Sequence, residues 1–268
     1  MRKHTRLLRA ILASLAALIL GIAYSTGWAE EDAFDVAKVF FELNDTDGDL
    51  GIHAHIDGEP WKVFTMEDPE KGTILKIDVS GRLQNQGLTE LFFESAEPPF
   101  ESDESDEATL TPEEFFNRFP EGIYTMKGET LEGEALQSES ELTHTMPAPP
   151  EPTVNGKGLA EECDPDDPEY DAPQVSTPVT IEWAEVTTSH PDLGTMPAVA
   201  VSIHNYEIVV EFENADGFVS VLSVILPPGS RSMTIPAEFI ALGKTFKYEI
   251  LAREKSYNQT AVENCFRL

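Results

Sequence analysis

Bulky apolar positions alternate with polar ones along most of the chain, at the spacing of strands rather than helices. Val39, Phe40 and Phe41 lie in a run, 37–43, that ends at an Asn-Asp turn signal and predicts a strand. Ile52, Ala54 and Ile56 then alternate with His53, His55 and Asp57, which puts the apolar set on one sheet face and the histidines on the other. Asp57-Gly58 reads as a tight hairpin turn, with 61–66 as the returning strand. Strands are also expected at 73–79, 88–94, 123–127 and 141–145, so this part reads as an antiparallel β unit. One helix interrupts it. Thr111 caps, Pro112 takes the first helical position and Glu114 closes a capping box. Pro120 and Gly122 stop it early, leaving Phe115, Phe116 and Phe119 as a small apolar lid.

The Pro-rich stretch 147–152 predicts a stiff, extended linker between an N-terminal domain, 30–146, and a second domain, 153–268. The second opens with an acidic insertion, 156–174, and is then uniformly β. Val179, Ile181 and Trp183 alternate, as do Tyr206, Ile208 and Val210, and strands at 219–226, 233–235, 245–252 and 260–266 follow between turn signals. Short strands at this spacing indicate a sandwich.

Val179-Thr-Ile-Glu-Trp183, Asn205-Tyr-Glu-Ile-Val-Val210 and the segment from Leu242 to Ala252 resemble the second, third and sixth strands of a fibronectin type III domain, over roughly residues 150–268. Trp183 matches the core tryptophan of that family. Phe246 stands where the family often has a tyrosine that ties a strand corner to the backbone, which Phe246 cannot do. The resemblance implies a fold and a role in binding or spacing, and no catalysis. The fold class expected is mainly β: an N-terminal antiparallel β domain with one short helix, followed by an immunoglobulin-like, fibronectin type III-like β-sandwich.

Composition narrows the setting. A hydrophobic share of 41% is enough for a packed core, and the formal charge is −31, from 18 basic and 49 acidic residues. Arg2, Lys3, Arg6 and Arg9 precede an apolar run from Ala10 to about Ala23, and Gly27 and Ala29 supply small residues for cleavage. This is the layout of a secretory signal peptide over 1–29. It predicts an exported protein (periplasmic, cell-surface or secreted) with no stable membrane span after cleavage. The acidic balance disfavours nucleic acid and favours cations and solubility. The partner expected is a protein or glycan in the extracytoplasmic space.

Candidate chemistry centres on residues 44–57. Asp45, Asp47 and Asp49 present carboxylates at alternate positions around Gly48, as calcium loops do. The stretch is not an EF-hand, because Leu50 takes the glycine position and Ile56 the place of the bidentate glutamate. A plain Asp/Asn/Gly turn is the alternative. His53 and His55 share a face with Asp57 and could hold a transition metal, although an exposed pair without metal is the simpler reading. Glu90, Glu94 and Glu97 could serve glycoside hydrolysis, against an acidic background that places carboxylates together by chance. Cys163 and Cys265, the two cysteines, are expected to form one disulfide. Asn44-Asp-Thr46 and Asn258-Gln-Thr260 match the glycosylation pattern. The function expected is a non-catalytic binding or interaction protein stabilised by calcium. The alternative is an extracytoplasmic hydrolase of carbohydrate or another envelope polymer.

Overall fold

The apolar run of the first strand, β1 (Val36–Asn44), buries Val39, Phe41 and Leu43 on one face, while the second strand, β2, covers Asp49–Glu67. These come from a computed structural model that describes residues 33–97, 100 and 110–268. The leader 1–29 and the acidic run 101–107 lie outside the described residues. The chain continues through β3 (Thr73–Asp78), β4 (Leu88–Glu94), helix α1 (Pro112–Arg118), β5 (Gly122–Thr130) and β6 (Ala135–Leu142). The second half holds β7 (Pro152–Val154), β8 (Thr180–Trp183), β9 (Ile203–Glu213), β10 (Val219–Leu226) and β11 (Ser232–Thr234). Helix α2 (Ala237–Ile240), β12 (Thr245–Glu254) and β13 (Gln259–Arg267) complete it.

The hairpin expected at Asp57-Gly58 is absent. β2 runs straight through it as a 19-residue strand, pairing with β1 and β4 in its first part and with β5 and β3 in its last. Gly58 lacks the left-handed conformation that a type I′ reversal needs. It is a glycine for a different reason: a Cβ there would stand 3.2 Å from the Phe34 ring. Pro60 sits where the register with β4 shifts, so its missing N–H breaks no ladder bond. Across this irregularity β2 changes partners within one continuous sheet, from β1 and β4 to β5 and β3.

β6 lies at 135–142, earlier than the expected 141–145. Only Leu136 and Leu142 of it are buried apolar residues, so its apolar signal is weak. Its serines hold it instead: Ser138 Oγ accepts from Phe34 N at 3.0 Å and Ser140 Oγ from Val39 N at 3.3 Å, curling β6 back onto β1. The capping box of α1 is complete, with Thr111 Oγ1 accepting from Glu114 N and Glu114 Oε2 from Thr111 N. Phe115 and Phe116 then meet Phe41 edge-on at 5.4 and 5.5 Å between ring centres, closing the first core.

In the second half β7, β8 and β11 form one sheet, and β10, β9, β12 and β13 lie in that order in the other. Val154, Ile181 and Trp183 from the first meet Tyr206, Ile208, Val210, Ile250 and Phe266 from the second in one core. This strand order, with the antiparallel pairing throughout, is a fibronectin type III-like sandwich. Phe246 is buried and stacks on Phe266 at 5.1 Å. A tyrosine tie does exist, on a neighbouring strand, where the Tyr206 hydroxyl accepts from Val186 N at 3.1 Å.

The stretch 147–152 is packed rather than a free linker. Pro147, Pro150 and Pro152 are buried, and Ala148 N donates to Thr188 O at 3.0 Å. It marks the passage from one core to the other. Across it the sheets are continuous, because β1 pairs in parallel with β13 through Glu42–Gln259, Leu43–Thr260 and Asn44–Ala261. Glu31–Leu268 is accordingly one compact unit.

Candidate functional site

The turn 45–48 lies at the meeting of the two halves. Asp45 N donates to Ala261 O at 3.0 Å and Thr46 Oγ1 accepts from Glu263 N at 2.9 Å, which carries the β1–β13 pairing into the turn. Asp45 Oδ1 accepts from His190 Nε2 at 3.0 Å. His190 Nδ1 accepts a hydrogen bond from Asp192 N at 3.1 Å, so the Nε2–H is the one directed at Asp45. Asp47 Oδ2 accepts instead from Asn44 Nδ2. Asp49 is opposite Asn44 on β2, with one carboxylate oxygen buried and without a hydrogen-bond partner.

The three aspartates therefore face different neighbours. Among the described residues no three His, Cys, Asp or Glu side chains converge as metal ligands. His53 and His55 also part company. His55 is half-exposed and bonded to Glu90 at 3.0 Å, whereas His53 is 2% exposed, not the surface residue that its polar face implied. Phe40 and Phe92 pack near its ring, and Glu97 accepts from its Nε2 at 2.9 Å. Glu97 reaches it by crossing Gly51, where any Cβ would collide with the glutamate side chain. The other ring nitrogen, Nδ1, has no hydrogen bond and stands 3.8 Å from Glu42 Oε2.

A polar line thus crosses the sheet from one half to the other. Arg253 on β12 pairs with Glu207 on β9 at 3.4 Å and donates through Nε to Gln259 on β13 at 2.5 Å. Gln259 Nε2 in turn donates to Glu42 on β1, beside His53 and Glu97. Carboxylates crowd around it. Burial and then the charges of Glu97, Asp47, Glu263 and Glu42 push the Asp49 carboxyl up to about 6. Burial and then Glu42, Glu263, Glu207 and Glu211 push Glu249, on the outer face of β12, up to about 8. Glu42 is raised mainly by burial, against the pull of His53, and Glu263 mainly by burial with Asp47 adding.

These shifts have a sign. A carboxyl whose folded value is raised favours the folded state below its unfolded value, and that contribution is lost as pH rises through the folded value. For Asp49 the window runs from 3.8 to about 6, and for Glu249 from 4.5 to about 8. The thermal midpoint is expected to fall as pH rises across these windows. Asp49→Asn should flatten the lower part of that slope and Glu249→Gln the upper, in melts followed by circular dichroism.

Asn258 has no place in the sequence reading except as a glycosylation match, and the structure overturns that. It is 0% exposed, so no glycan fits on the folded chain. Its Oδ1 accepts from Phe41 N at 2.8 Å, and its Nδ2 donates to Thr143 O at 2.8 Å and Thr145 O at 3.0 Å. One amide thereby joins β1, the segment after β6 and the β12–β13 turn. Cys163 and Cys265 are bonded and fasten the acidic insertion to β13.

The other notable surface is β10. Among the described residues it pairs only with β9, so it forms the sheet edge, and its pairing has no bulge. Its eight residues, Val-Ser-Val-Leu-Ser-Val-Ile-Leu, include no charge, Pro or Gly. Phe218, Val221 and Ile225 are 67%, 56% and 61% exposed, and Val219 also faces outward. Glu213, Glu211 and Glu207 stand directly opposite Val219, Val221 and Ile225 on β9.

No family model matches the chain, and no curated protein matches it in sequence. Among solved structures it is similar to a tetra-tandem repeat from the extending region of a large adhesion protein, at 12% identity and a TM-score of 0.23. That match covers 87% of this chain and 50% of that one, so the chain spans about half the length of its neighbour. The FN1-FN3 domains of chicken CNTN1 match at 12% identity and TM-score 0.28, over 89% of this chain and 70% of that one. A Ca2+-stabilized adhesin that helps an Antarctic bacterium bind ice matches at 11% identity and TM-score 0.24, over 87% and 49%. At these identities and scores no residue of the site carries across.

Proposed function

We propose that the protein is an exported, acidic, non-catalytic binding module whose docking element is the sheet edge at β10. The observation that carries this reading is an uncharged, bulge-free edge strand with exposed apolar side chains, in a chain of 49 acidic residues. Edge strands left open in this way pair with other chains, and folds that avoid pairing protect them with lysine, proline or a bulge. The signal-like leader and the disulfide support export. Among the described residues no helix is long and apolar enough to cross a membrane.

The test is a displayed library of random nonapeptides, selected on the chain without its leader. Enriched peptides are expected to lose binding to a Val221→Lys, Ile225→Lys variant whose melt is unchanged. No enrichment, or binding indifferent to the two lysines, would overturn the reading.

Calcium belongs to this proposal only as a diffuse counter-ion for the carboxylates crowded around Asp49, since among the described residues neither these nor the three aspartates of the turn form a cage. Millimolar calcium is expected to raise the melting midpoint of the parent chain more than that of Asp49→Asn. An equal response in the two removes calcium from the proposal.

A further inference from the structure

Resting on the reading of β10 as the docking edge, we infer that its partner is an extended polypeptide segment carrying lysine or arginine at alternate positions. An added strand runs one spacing outside β10, which puts the β9 carboxylates about two spacings away, ~10 Å from its backbone. Between them lie the exposed side chains of Val219, Val221 and Ile225, with Glu213, Glu211 and Glu207 immediately behind. A short side chain on the added strand meets only the apolar row. A lysine or arginine lays its hydrocarbon stem along that row and brings its charge to the carboxylates, the arrangement in which such amphipathic side chains are most stable. Glu213 has no ion-pair partner among the described residues, whereas Glu207 is already engaged by Arg253. The cationic positions that matter most are therefore those facing Val219 and Val221.

A second feature points the same way. At the Val219 end the strand borders a cavity of about 660 Å³ between the acidic insertion and the sheet. Asp164, Asp166, Glu211 and Glu213 line it, and among the described residues Lys247 is the only basic one in its wall. A basic residue at the end of the docked segment enters a space already poor in cations. A second copy of this chain is the less suitable occupant. Edge-to-edge pairing would bring two rows of β9 glutamates toward one another, in chains that each carry −31.

The probes are three blocked nonapeptides in which valine alternates with lysine, with threonine or with glutamate, each labelled and titrated with the chain lacking its leader. The lysine peptide is expected to bind at least about tenfold more tightly than the threonine peptide, the glutamate peptide not at all. Salt at about 0.5 M should remove most of that advantage by screening the charges. Glu211→Gln with Glu213→Gln should remove it at low salt while leaving threonine-peptide binding in place. Equal binding of the lysine and threonine peptides overturns the cationic preference but leaves the docking edge standing. Binding of none of the three overturns both. Sedimentation as a dimer that Val221→Lys dissociates would make the occupant a second copy and overturn the proposal.

Discussion

Loss of the Cys163–Cys265 bond, by reduction or by serine at both positions, is expected to lower the free energy of unfolding by about 4–5 kcal/mol. The two cysteines are separated by 102 residues, and the cost of closing a loop of that length falls almost wholly on the unfolded chain. The folded contacts at the joint survive without the bond. Asn264 exchanges two hydrogen bonds with Ala160, Arg267 N donates to Pro173 O, and Val175 N donates to Arg267 O. The reduced protein should therefore keep its circular dichroism spectrum while its melting midpoint drops by on the order of 10–15 °C. A shift under about 3 °C would mean that the unfolded chain is already compact around this loop.

Asn258→Asp is expected to cost about 3–5 kcal/mol near neutral pH. The aspartate would still accept from Phe41 N, but it replaces the amide that donates to Thr143 O and Thr145 O. A carboxylate would then face two carbonyl oxygens at a position with no exposure to water. Protonation restores one donor, so part of the loss should return as pH falls through the raised value of the new carboxyl. Asn258→Ala removes the donor and the acceptor together and should show no such recovery. Denaturant melts of the two variants at several pH values separate the cases. A loss below about 1 kcal/mol for both would show that Asn258 does not join the halves.

Strands bounded by clear turn signals were legible in the sequence, β12 and β13 among them. β1, β3, β4 and β10 fall within a residue or two of their expected places, and α1 was announced by its capping box. Where reading failed, a local signal carried a non-local meaning. Asp57-Gly58 has the letters of a hairpin, yet the glycine makes room for Phe34, which arrives from the segment before β1. His53 sits on the polar side of an alternating strand, but Glu97, Phe40 and Phe92 cover that side as well. Ser138 and Ser140 look like solvent-facing residues and in fact receive backbone N–H groups. In the stretch 44–57 the aspartates divide among His190, Asn44 and a buried face rather than sharing one centre. Nothing near Asn258 in the chain marks it as the residue that bridges β1 and the end of β6.

The parallel pairing of β1 with β13 joins residues 217 positions apart, as the Phe41–Asn258 bond does across the same seam. Translation delivers these partners in sequence, the first long before the last. Until 259–267 have appeared, β1 keeps one side of its backbone unpaired, and the turn at 45–48 has no strand to dock on. The order in which the chain appears thus sets a clock on its assembly. A nascent molecule can gather the buried side chains of its first core, all within 34–146, but leaves that edge of β1 open, and β13 closes the edge and the second core together. Contacts of such separation are slow to find. Under the export proposed above, late closure keeps this unit threadable until β13 has passed.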